Sequence, residues 1–109
     1  MTIDLPQPIA AYVAADNADD ADAIAACFAA DAVVRDEGHV HEGRQAIVAW
    51  KAAAKRKYQY TSEPLTCITR DGKTVLTNRV TGNFPNSPID LTFVFTIADG
   101  KITQLKIGA

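Results

Sequence analysis

Apolar positions in the first half of the chain recur every three or four residues, and those in the second half recur every second residue. Asp4-Leu5-Pro6-Gln7 reads as a helix start, with Asp4 as the cap and Gln7 three residues on. Leu5, Ile9, Tyr12 and Val13 then share one helical face. Asn17 to Asp20 is a polar break, after which Asp19 or Asp20 caps a second helix and Asp22 adds negative charge where the dipole favours it. Ile24, Cys27 and Phe28 mark its buried side, and Asp31 ends it. A short strand, Ala32 to Arg35, leads through a loop holding His39 and His41 to a third helix, Gly43 to Tyr58. Ile47, Trp50 and Ala54 follow helical spacing there. Lys51, Lys55, Arg56 and Lys57 gather near its C-terminal end, which suits the dipole and reads as a solvated face.

After Tyr58 the period changes to two. Tyr60 to Arg70 is rich in Thr and branched residues, Asp71-Gly72 is a hairpin turn, and Thr74 to Phe84 returns. Pro85-Asn86-Ser87-Pro88 makes the next turn. Ile89, Leu91, Phe93, Phe95 and Ile97 then alternate with Asp90, Thr92, Val94 and Thr96. Asp99-Gly100 turns again into a last strand, Lys101 to Ile107. Helices followed by strands predict an α+β fold, with three N-terminal helices packed on a curved antiparallel sheet that closes into a cone. The length fits a single domain over residues 1–109.

Composition narrows the function classes. Net charge is −2 with 22% charged and 48% hydrophobic residues, so neither nucleic-acid binding nor a membrane span is expected. The N-terminus has two prolines, Asp4 and no basic region, unlike a signal peptide. Cys27 and Cys67 are widely separated and read as reduced thiols, which points to a cytoplasmic protein. No motif calls for a cofactor. His39 and His41 lack a well-placed third ligand, so no metal is expected; His39 is a candidate acid or base at a pocket rim.

Candidate chemistry centres on Asp36. Alternation along the strand puts Asp36 on the face of Val34, so a carboxylate sits at the rim of an apolar interior, where desolvation raises its pKa. Trp50 and Phe93 are expected to add bulk around it but no donor. Tyr12 points where the apolar residues of its helix point, as a core aromatic or as a donor inside a cavity. Asn78 shares a face with Val80, Gly82 and Phe84. It is either a structural hydrogen-bonding amide or a group that orients a ligand. The opposite sheet face carries Thr66, Ile68, Arg79, Thr81, Thr92, Val94 and Thr96, a mixture suited to a partner.

From Ala11 to Glu37 these residues carry a family likeness. A tyrosine on the first helix precedes an acidic break, Asp22-Ala23-Ile24, Phe28-Ala29-Ala30-Asp31-Ala32 and Val34-Arg35-Asp36; Gly43-Arg44-Gln45-Ala46-Ile47 matches again after a shorter loop. The chain resembles the nuclear transport factor 2 superfamily, in particular its ketosteroid isomerases and polyketide-cyclase-like (SnoaL-like) proteins. The resemblance implies that Asp36 is a general base and Tyr12 an oxyanion donor. The isomerase's second donor, a protonated aspartate, falls on Phe93 here, and the proline that commonly follows the base is Glu37. It also implies a homodimer formed through the outer sheet face.

Two functions follow. In one, an isomerase or cyclase uses Asp36 to remove a proton next to a carbonyl of a small hydrophobic molecule, with Trp50, Asn78, Phe93 and His39 around the ligand. In the other, the same cone is a non-catalytic ligand-binding or dimerisation module.

Overall fold

The computed structural model describes residues 3–108. Two helices, α1 (Gln7–Asn17) and α2 (Ala21–Cys27), lead into strands β1 (Phe28–Asp36) and β2 (His39–Glu42). Helix α3 (Arg44–Tyr58) follows. Then come β3 (Thr61–Arg70), β4 (Lys73–Thr81), β5 (Ile89–Ala98) and β6 (Lys101–Gly108). One six-stranded sheet has the order β2-β1-β6-β5-β4-β3. The expected α+β architecture of three helices on a sheet is present. The sheet is mixed rather than wholly antiparallel, because β1 and β6 pair in parallel. These two strands belong to different hairpins, β1–β2 and β5–β6, so no tight turn dictates their relative direction.

Several local expectations are corrected. Helix α1 begins at Gln7, not near Asp4, because Pro6 is extended (ψ 145°) and takes the cap position. Asp20, rather than Asp19, caps α2, its carboxylate accepting from the Ala23 N–H at 3.1 Å. Asp31 does not end α2; the backbone is already extended at Phe28, and Asp31 lies inside β1. His39 and His41 belong to β2 instead of a loop. The turn before β2 has both central residues, Glu37 (φ 53°) and Gly38 (φ 78°), in the left-handed region, the backbone of a tight hairpin. Glutamate is not a residue that advertises such a turn.

Cross-strand pairing fixes which side chains share the concave face. Asp36 lies opposite Ile107, Ile107 opposite Phe93, and Phe93 opposite Leu76, forming one row across four strands. Val34, Leu105 and Phe95 form the row beside it. Register shifts between Phe28 and Val33, Pro64 and Thr66, and Thr96 and Ile97 bend the sheet around the helices. Val34, Leu76, Phe95 and Leu105 are buried there against Ile9, Tyr12 and Ile47 of the helices. On the convex face Arg79 pairs with Asp90 at 3.1 Å, and Ile68 is half exposed.

Two contacts close the cone beside the site. Asn17 at the end of α1 clasps the Ser62 backbone, donating to its carbonyl at 2.9 Å and accepting from its N–H at 2.8 Å. Gly82 passes so close to the α3–β3 connection that a Cβ there would lie 2.7 Å from the Tyr58 carbonyl oxygen and 2.9 Å from the Tyr60 Cα. Only glycine fits that crossing without displacing backbone.

Candidate active site

The cone encloses a cavity of about 280 Å³, near the small end of the range of about 300–1,000 Å³ in which proteins hold small molecules. Its sheet wall includes Leu91, Phe93 and Ile107, and Phe84 and Pro85 of the β4–β5 connection also line it. Helix α3 contributes Trp50, Lys51 and Ala54. The polar lining is concentrated in Asp16, Asp36, Glu37, Lys51 and Tyr60.

Asp36 ends β1 and is half-buried, as its alternation with Val34 predicts. The Trp50 indole Nε1–H donates to its Oδ2 at 3.2 Å. Trp50 is therefore a donor to Asp36 as well as apolar bulk, a correction to the expectation that it supplies only bulk. The His41 ring stacks on the other part of this pair, its centroid 5.2 Å from that of Trp50. Burial and the neighbouring Glu37 charge push the Asp36 carboxyl above its ordinary value of 3.8. The Trp50 hydrogen bond and the charges of Lys51 and His41 oppose that shift without cancelling it.

Beside Asp36 lies a buried polar cluster. Lys51 Nζ donates to Asp16 Oδ2 at 3.2 Å and to the Tyr60 hydroxyl at 3.0 Å. The Tyr60 hydroxyl in turn donates to Asp16, 2.8 Å from Oδ1 and 3.0 Å from Oδ2. Lys51 is 4% exposed, so its place in a solvated basic face is corrected. Gln59, left-handed at φ 48°, stops α3 and directs the chain to Tyr60, whose carbonyl accepts from Lys55 Nζ at 2.6 Å. Desolvation lowers the Lys51 pKa against the pull of Asp16, while burial and the Asp16 charge hold the Tyr60 phenol far above the physiological range.

The other sequence-predicted residues divide. Phe93 and Trp50 line the cavity with Asp36. Tyr12 does not: its ring is packed among Phe28, Phe93 and Phe95, at centroid distances of 5.8, 6.5 and 5.6 Å. Its hydroxyl is buried with no hydrogen-bond partner among the described residues, and burial raises its pKa well above the ordinary value. Asn78 is also fully buried, across from Leu91 and outside the cavity wall, and neither its amide nitrogen nor its oxygen is bonded. Of the two readings of this amide, the structural hydrogen bond is not made among the described residues. His39 is exposed and lines a separate shallow depression with Arg35 and Lys106, which shares Asp36 and Glu37 with the main cavity.

The SnoaL-like domain family matches residues 9–105. The chain belongs to the SnoaL-like domain family. This SnoaL-like protein is 44% identical to a candidate polyketide cyclase from Sinorhizobium meliloti, over 95% of each chain with a TM-score of 0.92. A protein with a ketosteroid isomerase-like fold from Catenulispora acidiphila, solved with trimethylamine, is 18% identical over 97% of this chain and 87% of its own, with a TM-score of 0.85. A protein from Mycobacterium tuberculosis is 16% identical, over 100% and 94% of the two chains, with a TM-score of 0.83. Among curated proteins none matches. The fold is accordingly NTF2-like.

Sequence reasoning missed Asp16, Lys51 and Tyr60. A signal for the first two is present. Asp16 continues the Ile9, Tyr12, Val13 stripe at helical spacing, and Lys51 falls between Ile47, Trp50 and Ala54 in theirs. A lysine and an aspartate, each within an apolar stripe, are a pair with reason to meet.

Proposed function

We propose that this SnoaL-like protein is an enzyme of isomerase or cyclase type that moves a proton at a carbon next to a carbonyl of a small hydrophobic molecule, with Asp36 as the base. The observation that carries the reading is the half-buried Asp36 carboxylate, made more basic by burial and held in orientation by the Trp50 hydrogen bond, at the edge of an apolar cavity. The likeness to a candidate polyketide cyclase supports it. Tyr12 is the oxyanion donor offered by family resemblance, yet its hydroxyl does not line the cavity, so a donor facing the ligand has to come from another residue. A screen of ketone and enone substrates for double-bond migration or ring closure tests the reading. Turnover by the wild type that is lost in Asp36→Asn is the expected result; turnover that survives the substitution removes the base.

The alternative, a non-catalytic small-ligand-binding or dimerisation module, is favoured by Phe93 standing where the isomerase has its second donor. We further propose a cytoplasmic homodimer paired through the convex sheet face. The free thiols of Cys27 and Cys67 support the compartment. The half-exposed Ile68 beside Val75 and Val94 supports the face. A monomeric mass at micromolar concentration contradicts the dimer.

A further inference from the structure

We propose that Lys51 is the catalytic group that meets the negative charge developing on the ligand's oxygen, that Asp16 and Tyr60 are its positioning residues, and that the ligand is an uncharged carbonyl compound entering carbonyl end first. This rests on the reading of Asp36 as the base.

An ammonium has three N–H donors. Two of those on Lys51 are taken by Asp16 and Tyr60. The third has no acceptor among the described residues. Ring faces surround the same nitrogen, with centroids of Trp50 at 4.5 Å, Tyr12 at 4.8 Å and Tyr60 at 5.5 Å, and none of them offers an acceptor as strong as an oxygen. Lys51 nevertheless lines the cavity, as Asp36 does. A ligand oxygen lying against Lys51 supplies the missing acceptor. Tyr60 cannot fill that role, because its own proton is committed to Asp16.

The charges choose the ligand. While Asp36 is ionised, Asp16, Asp36 and Glu37 put three carboxylates on the cavity wall against one ammonium, so a ligand that is already anionic is repelled from the resting site. Proton abstraction changes the distribution without changing the total. The C–H proton passes to Asp36, the electron pair moves through the carbonyl carbon onto oxygen, and the negative charge leaves Asp36 for the ligand. Lys51 makes no hydrogen bond to Asp36, so a ligand oxygen bonded to Nζ interacts with the cation more strongly after the transfer than Asp36 does before it. An interaction stronger in the transition state than in the ground state is what accelerates a reaction. Asp16 and Tyr60 keep the ammonium aimed and desolvated. Trp50, adjacent to Lys51 on α3, holds the base, so neighbouring residues of one helix orient both ends of the reaction.

The probe is para-nitrophenol, a planar phenol whose ionised form absorbs visible light and resembles an enolate. It is titrated bound to the Asp36→Asn protein, in which the amide stands for the protonated base. The expected result is that binding raises the probe's ionisation constant at least about tenfold, a midpoint lowered by one pH unit. Adding Lys51→Met with Asp16→Asn, which leaves no lone charge buried, abolishes the shift while the circular dichroism spectrum stays native. Lys51 is overturned by a bound probe with an unshifted midpoint, by the same shift without Lys51, or by no binding at millimolar probe. Turnover that survives Asp36→Asn, with the phenol shift retained, instead removes the base and leaves the oxyanion site, so the two failures are distinguishable.

Discussion

Lys51→Met keeps an unbranched side chain of similar length and deletes the ammonium. It leaves the Asp16 carboxylate, in a residue only 2% exposed, with the Tyr60 hydroxyl as its remaining partner. Removing one member of a buried ion pair destabilises by about 3–5 kcal/mol, because the survivor stays desolvated and unpaired. The retained Tyr60 bond places the expected loss at the lower end, about 3 kcal/mol. Adding Asp16→Asn removes the lone charge, so the double variant recovers to within about 1 kcal/mol of wild type, since desolvation and attraction nearly cancel for an intact pair. Asp16→Asn alone strands the buried Lys51 ammonium at a similar cost, so the double-mutant cycle gives a coupling energy of about 5 kcal/mol. Urea unfolding followed by circular dichroism measures all four proteins, and the single variant also loses at least about 10 °C in Tm for a chain of this size. A loss below about 1 kcal/mol with no coupling, the behaviour of an exposed pair, refutes the burial on which the site depends.

Burial raises the Asp36 carboxyl, so the folded state holds this proton more tightly than the unfolded chain, and stability from this group falls as pH rises from 3.8 through the raised value. Asp36→Asn therefore has a higher Tm than wild type at neutral pH, and the gap closes below the ordinary value; a lower Tm at neutral pH contradicts the desolvation. Tyr12→Phe deletes a buried hydroxyl without a partner, so denaturant titration shows stability unchanged or raised by up to about 1 kcal/mol, and a comparable loss means the hydroxyl is bonded. Asn78→Leu replaces an unbonded buried amide by a side chain of similar shape and stabilises by about 1 kcal/mol on the same measurement; destabilisation exposes a partner for Asn78.

Much of the fold is legible in the chain because alternation and turn chemistry are local. Asp71-Gly72 and Asp99-Gly100 announce hairpins that the structure contains, and the parity counted from Val34 puts Asp36 on the row of Ile107 and Phe93. The β1–β2 hairpin escapes because Glu37 adopts a left-handed backbone that its side chain does not signal. Periodicity correctly turns Tyr12 inward but says nothing of depth: Phe28, Phe93 and Phe95 close around the ring and keep its hydroxyl from the cavity. Lys51 is hidden by its neighbours Lys55, Arg56 and Lys57, whose charges suit a solvated helix end and mask the one lysine that shares the stripe of Ile47 and Trp50. The Trp50–Asp36 bond depends on a side-chain orientation that spacing does not determine.

If Asp36 removes a proton from carbon next to a carbonyl, the proton held on its half-buried carboxyl exchanges with solvent in every cycle in which it is not returned at once, so deuterium enters that carbon even where no net product forms. Cyclic ketones and enones small enough for a cavity of about 280 Å³ are incubated with the protein in deuterated water, and loss of the α-proton signal is followed by NMR. Wild type catalyses exchange in at least one member of the series, and Asp36→Asn slows it by about 10²-fold or more. Equal rates in the two proteins, or no exchange in any compound that binds, contradict the assignment of Asp36 as the base.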